Sequence, residues 1–136
     1  MVKKVALGLL ALFVIIIGAA QFNDWLNEKR DKKSLKESDN LFFIPAKVDS
    51  YSSVSKSRKI NLHYTYSIAG KKYSNTRTLV KNRIEPPTVP FNILVAVDTL
   101  NPDLNFGLFI RDDFIYFGKE LPDSLQWINS VLKNGW

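Results

Sequence analysis

Few residues of this chain have side chains suited to chemistry, and their spacing narrows what that chemistry could be. His63 is the single histidine and there is no cysteine. A serine-type hydrolase needs a histidine to take the serine proton and an acid to orient that histidine. Here no Gly-x-Ser-x-Gly elbow accompanies His63. With no second histidine and no thiolate, a zinc site lacks ligands. Asp112 and Asp113 put two carboxylates side by side. Adjacent aspartates suit a turn, where each bonds nearby backbone, better than an acid–base pair, which must face a substrate from two sides. Asn101-x-Asp103-x-Asn105, with Asp112 twelve residues into the frame, has calcium-loop spacing, but Phe106 stands where that loop requires glycine. These readings predict a non-enzymatic protein with no catalytic residues, no metal and no cofactor.

Charge is the stronger signal. Lys56, Arg58, Lys59, Lys71, Lys72, Arg77, Lys81 and Arg83 fall in one stretch without an acidic residue, whereas Asp98, Asp103, Asp112, Asp113, Glu120 and Asp123 dominate the C-terminal part of the chain. The net charge is +6. The eight bases form the candidate interaction surface, facing an acidic protein partner or anionic lipid. Nucleic acid is not the expected partner. Base stacking needs aromatic and basic side chains on the same side, and strand alternation separates them here.

The elements that must position these residues read as mainly β, in an α+β arrangement. Residues 58–69 alternate strictly, with Ile60, Leu62, Tyr64, Tyr66 and Ile68 on one side and Lys59, Asn61, His63, Thr65 and Ser67 on the other. That pattern is a strand with one side on a core and one in water. Ala69-Gly70-Lys71-Lys72 reads as a hairpin turn and residues 73–80 as the return strand, with Tyr73 and Leu79 inward. Residues 41–51 form an earlier strand in which Pro45 permits only an edge or a strand start. Residues 81–90 hold three prolines and read as a loop, and residues 91–100, apolar on both sides, as a central strand. Asn101-Pro102-Asp103 reads as a turn, and residues 104–110 and 114–117 as two short strands. A C-terminal helix starts at Pro122-Asp123-Ser124, with Leu125, Ile128, Val131 and Leu132 as its stripe. The expected fold is a small antiparallel β barrel, or a curled sheet of five to six strands, with one C-terminal helix.

The chain opens on Lys3-Lys4 and then a run without a polar side chain over residues 5–20. This reads as a transmembrane signal-anchor or a cleaved signal peptide, with Gly18-Ala19-Ala20 as the cut. Lys3, Lys4, Phe22 and Trp25 are the expected membrane-interface residues. Residues 21–40 read as a polar helical stalk and residues 41–136 as the β-rich domain. The expected location is the cytoplasmic membrane, crossed once, with the domain on the periplasmic or extracellular side. The alternative is a chain that is cleaved and then secreted or periplasmic.

Ala46-Lys47-Val48, the segment from His63 through Gly70-Lys71-Lys72-Tyr73, and Val95-Ala96-Val97-Asp98 with Asn101-Pro102 together resemble a family of bacterial membrane-associated β domains of unknown function. The family has a tyrosine-rich strand, a Gly-Lys-x-Tyr hairpin and a later strand that ends in an Asn-Pro turn. Where it has a glycine before that strand, this chain has Pro90-Phe91-Asn92. The resemblance implies a membrane-tethered β domain and supplies no catalytic residue. The function expected from all of this is a membrane-anchored envelope domain that binds a protein partner, in one form an immunity or inhibitor protein. The alternatives are an accessory subunit of a membrane complex and, more remotely, an envelope hydrolase built on His63.

Overall fold

The computed structural model describes the backbone of residues 2–53, 58–81 and 87–133, and their side chains except at positions 2, 17, 18, 20, 21, 24 and 25. The chain divides into two compact units, Met1–Ser34 and Leu35–Trp136.

The first unit is helical. Helix α1 runs over Val2–Glu37, so the apolar lead and the polar stretch after it form one element. Among the described residues, no helix is long and apolar enough to cross a membrane. This overturns the transmembrane helix, the single-pass topology and the location drawn from it. The physical reason is reach. Sixteen residues rise about 24 Å in a helix, against about 30 Å of hydrocarbon. Lys3, Lys4 and Phe22 lie exposed on α1, and the side chain of Trp25 falls outside the described residues. Val5, Leu9, Phe13 and Ile16 are exposed as well.

The second unit is a six-stranded antiparallel sheet with a few short helices. Its strands are β1 (Leu41–Ser53), β2 (Lys59–Ile68), β3 (Lys71–Lys81), β4 (Phe91–Asp98), β5 (Asn101–Leu108) and β6 (Leu132–Lys133). Their spatial order is β5-β4-β1-β2-β3-β6. The sheet is not closed, so the barrel expectation is corrected: β5 and β6 are edges, and among the described residues β6 pairs with β3 at Val80 and Lys81 alone. The sheet is nevertheless strongly bent. β3 and β5 stand four strand spacings apart, about 19 Å in a flat sheet, yet Arg77 Nη1 on β3 donates to the Gly107 carbonyl on β5 at 2.9 Å.

Strict alternation holds in β2, whose Ile60, Leu62, Tyr64 and Tyr66 are buried. They join Val48, Leu79, Val95, Phe109, Phe114, Leu125, Ile128 and Leu132 in one core. Pro45 lies within a strand that is central over most of its length. It is tolerated because β2 first pairs with β1 at Lys47, leaving position 45 with a neighbour on β4 alone, Leu94. The turn expected at 101–103 falls at Thr99 and Leu100 instead. Asp98 forms it: its Oδ1 accepts the amides of Leu100 at 2.9 Å and Asn101 at 3.1 Å, and its Oδ2 accepts the Ser38 hydroxyl at 2.9 Å. Those bonds, the one from Ser38 foremost, hold the Asp98 carboxyl below its ordinary range. Leu35, in the stretch expected to be wholly solvated, is fully buried in the core.

Two further elements differ from expectation. The strand predicted over 114–117 is a helix, α2 (Arg111–Tyr116). A short apolar run does not distinguish strand from buried helix. Asp113 decides it, because its carboxylate reaches back from the first turn to accept the amides of the N-cap residue Ile110 at 3.1 Å and of Phe109 before it at 2.9 Å. Gly118, at φ 68°, closes the helix in the left-handed conformation. The single C-terminal helix is instead a 3-10 turn (Asp123–Leu125) and a four-residue α3 (Ile128–Val131), after which the chain extends into β6. Pairing with β3 ends the helix there.

Candidate functional site

The β2–β3 hairpin carries most of the candidate residues, and its turn sets their geometry. Ala69 (φ 50°) and Gly70 (φ 81°) are both left-handed, which gives a two-residue turn that matches the twist of the strands. The register then runs from Ile68 opposite Lys71 to Lys59 opposite Val80. Tyr73, Asn75, Arg77 and Leu79 share the side of β2's tyrosines, and Lys72, Ser74, Thr76 and Thr78 share the opposite side.

This register splits the eight bases. Lys71 and Lys72 are exposed beside the turn. Arg58 is exposed, and Lys59 and Lys81 half-buried, at the far end of the hairpin, where the Lys81 amide donates to the Arg58 carbonyl at 2.9 Å. The ten residues of β2 separate the two groups by roughly 30 Å. Lys56 and Arg83 lie outside the described residues.

Arg77 belongs to neither group. It is 6% exposed, and it pairs with Asp113, which is fully buried. Its Nη1 donates to Asp113 Oδ2 and to the Gly107 carbonyl. Its guanidinium sits 4.2 Å above the Phe106 ring and 6.0 Å from that of Phe109. An ion pair so removed from water holds only with this density of hydrogen bonds. Arg77 is therefore corrected from a surface base to a pin between β3, β5 and the start of α2. Asp113, expected only to bond nearby backbone, does accept the Phe109 and Ile110 amides; its pairing with Arg77 is what the sequence does not show. The only signal is the apolar pairs Phe109-Ile110 and Phe114-Ile115 on either side, and they flank the exposed Asp112 equally, so they do not single out Asp113.

The tyrosines continue this inner layer. Tyr66 and Tyr73 stack at 5.6 Å, and Lys71 lies 5.4 Å from the Tyr73 ring. Tyr64 Oη and Asn75 Nδ2 both donate to Asn105 Oδ1, at 3.2 and 2.6 Å. Burial pushes the Tyr66 hydroxyl up to about 12, with Tyr73 and Asp103 adding to it, and raises that of Tyr64 further. Gly107 is required at the close approach, since a Cβ there would lie 2.9 Å from Phe109 and 3.0 Å from Tyr64.

On the other side of the sheet, His63 lies in a row of cross-strand polar contacts. Its Nε2 is 3.2 Å from Ser52 Oγ and its Nδ1 2.8 Å from Thr76 Oγ1. Thr78 donates to Asn61 at 2.6 Å and Thr65 to Asp49 at 3.1 Å, while Lys47 lies 3.6 Å from Asp49. An open hollow of about 460 Å³ lies over this row, lined by Asp49, Ser50, His63, Thr65, Ser74 and Thr76, with two further residues. A proton relay through His63 would need a carboxylate on one ring nitrogen; both face hydroxyls. Asn101, Asp103 and Asn105 lie in β5 while Asp112 is on α2, so the calcium frame is split between two elements. Among the described residues, no group of three or more His, Cys, Asp or Glu could hold a metal ion.

Comparison with protein-family models, curated proteins and solved structures finds no match to this chain.

Proposed function

We propose that residues 35–136 form a non-enzymatic binding module that recognises a protein partner through the exposed bases of its β2–β3 hairpin. One observation carries the reading: the fold uses Arg77 internally but leaves Lys71 and Lys72 at the hairpin tip, directed to solvent. Two adjacent like charges at an exposed tip contribute little to stability. They do raise the rate and selectivity with which an acidic surface is met. The neighbouring row of Ser, Thr, Asn and His hydroxyls, amides and ring nitrogens adds hydrogen-bonding groups of the kind found at interface rims.

The test is affinity capture of the full chain from its native cells, beside the Lys71→Glu/Lys72→Glu variant. A partner recovered with the parent chain in stoichiometric amount and lost from the variant supports the proposal. Equal recovery from both, or none from either, removes it.

A further inference from the structure

We infer that the outer edge of β3 near the hairpin tip accepts an extended acidic segment of another protein as an added strand. This rests on the protein-binding reading above and specifies its mode.

The backbone register carries the inference. Beside a two-residue turn, Ile68 and Lys71 form a hydrogen-bonded pair, so along β3 the odd-numbered residues bond to β2 and the even-numbered ones point outward. Three facts agree with that parity. The Lys81 amide bonds back to Arg58 beside β2. Val80 pairs outward with β6. The outward amide of Thr76 is taken by its neighbour's Asn75 Oδ1 at 2.8 Å. Among the described residues, β6 covers only Val80 and Lys81. At Asn75 the edge is tied to β5, because the same side chain donates to Asn105 at 2.6 Å. Among the described residues, the amides and carbonyls of Lys72 and Ser74 therefore form the open part of the edge at the tip, on the near side of that tie. An edge of this kind is a template for a further strand, as in β-augmentation.

The lysines select the occupant. Lysine on an edge strand discourages pairing with an identical edge, because two copies would bring Lys71 and Lys72 against themselves. A segment carrying Glu or Asp reverses the sign. Residues directly opposite on paired strands come within about 5 Å, where opposite charges attract. The same two residues thus disfavour self-association and favour an acidic strand. The side of the added strand that follows Lys72 would meet Ser74 and Thr76; the other side would meet Tyr73.

The experiment uses the full chain labelled for amide NMR, titrated with a synthetic peptide of about six residues alternating Glu and Val, the length of a common strand. A matched Lys/Val peptide is the control. Saturable binding of the acidic peptide alone, with slowed amide exchange at Lys72 and Ser74, supports the inference. Ser74→Pro removes one outward amide and no bond to β2, so it should keep the circular dichroism of the parent and weaken binding at least tenfold. Lys72→Glu is the second variant. It needs no backbone change and should switch preference to the Lys/Val peptide. No binding of the acidic peptide, or undiminished binding by both variants, overturns the inference. So does a concentration-dependent dimer that Ser74→Pro abolishes, which would make the occupant a second copy. Binding to phosphatidylserine vesicles in place of the peptide overturns it as well. In the capture experiment, loss of the partner from Lys71→Glu/Lys72→Glu but not from Ser74→Pro sinks the added strand and leaves the protein-binding reading standing. Loss from neither variant sinks both.

Discussion

Arg77 and Lys72 lie five residues apart on one strand, belong to the same run of bases and have opposite lives. Lys72 sits on the outer side of β3 in water. Arg77 sits on the inner side, under Phe106 and bound to Asp113. Strand parity puts them on opposite sides, since an odd number of steps along a pleated chain reverses the direction of a side chain; Lys71, on Arg77's side, stays exposed because it stands at the turn, beyond the core. The comparison teaches that a cluster of like charges in a sequence is not a surface until the strand is given sides. Four of the eight bases illustrate the outcomes, with Lys71, Lys72 and Arg58 in solvent and Arg77 in the core.

The most forceful way to break the comparison is to expose the cost at the inner end. Arg77→Met or Asp113→Leu alone leaves one buried charge without its partner and should lower stability by about 3–5 kcal/mol, measured by urea denaturation. The double variant should recover much of that loss. If each single change costs no more than a surface substitution, the pin is not holding the sheet.

The pH dependence comes next. Tyr66, raised from 10.0 to about 12, keeps its proton in the folded chain while the unfolded chain releases it. Its contribution is complete below pH 10 and is lost as pH rises through about 12. Tyr64 acts in the same direction. The urea midpoint should fall across that window, and less steeply in Tyr66→Phe.

At the tip the effects are smaller. Ala69 holds a left-handed conformation that costs an L-residue about 1 kcal/mol, and asparagine offsets part of that cost by local hydrogen bonding, so Ala69→Asn should raise stability by up to about 1 kcal/mol. A thermal melt unchanged or lowered would count against the assigned turn. Smallest of all, Lys71→Glu/Lys72→Glu should move stability by less than about 0.5 kcal/mol while abolishing partner capture. A large loss of stability would mean that the tip, too, is structural.

What could be read in the sequence depends on the range of each signal. β2 is legible because alternation is local, and the hairpin because Gly70 lies between two strand-like runs; the turn itself is shorter than the four residues expected, since Lys71 and Lys72 already pair in β3. The inward tyrosines came from the same parity. α2 was not legible, since residues 114–117 present an unbroken apolar run and the deciding group, Asp113, acts through bonds to Phe109 and Ile110 and through Arg77. The short α3 departs from the expected helix for a similar reason: the stripe of Leu125, Ile128 and Leu132 does reach the core, but β3 draws Leu132 into a strand. The open sheet and the short reach of the apolar run within α1 are matters of distance, which periodicity does not encode. Of the candidate site, composition names the bases, and only register together with distance from the core decides which of them remain outside.

The Arg77 pin also says something about time. It joins residues 30 and 36 positions apart in the chain, so the loops it closes are far longer than the two-residue turn that starts the hairpin. Contacts of such separation tend to form after local ones. The hairpin can zip early, with the bent sheet locked across β3 and β5 only near the end. Loss of the pin should then act on the lifetime of the native state rather than on its birth. Stopped-flow measurements should find that Arg77→Met unfolds much faster than the parent and folds at a similar rate.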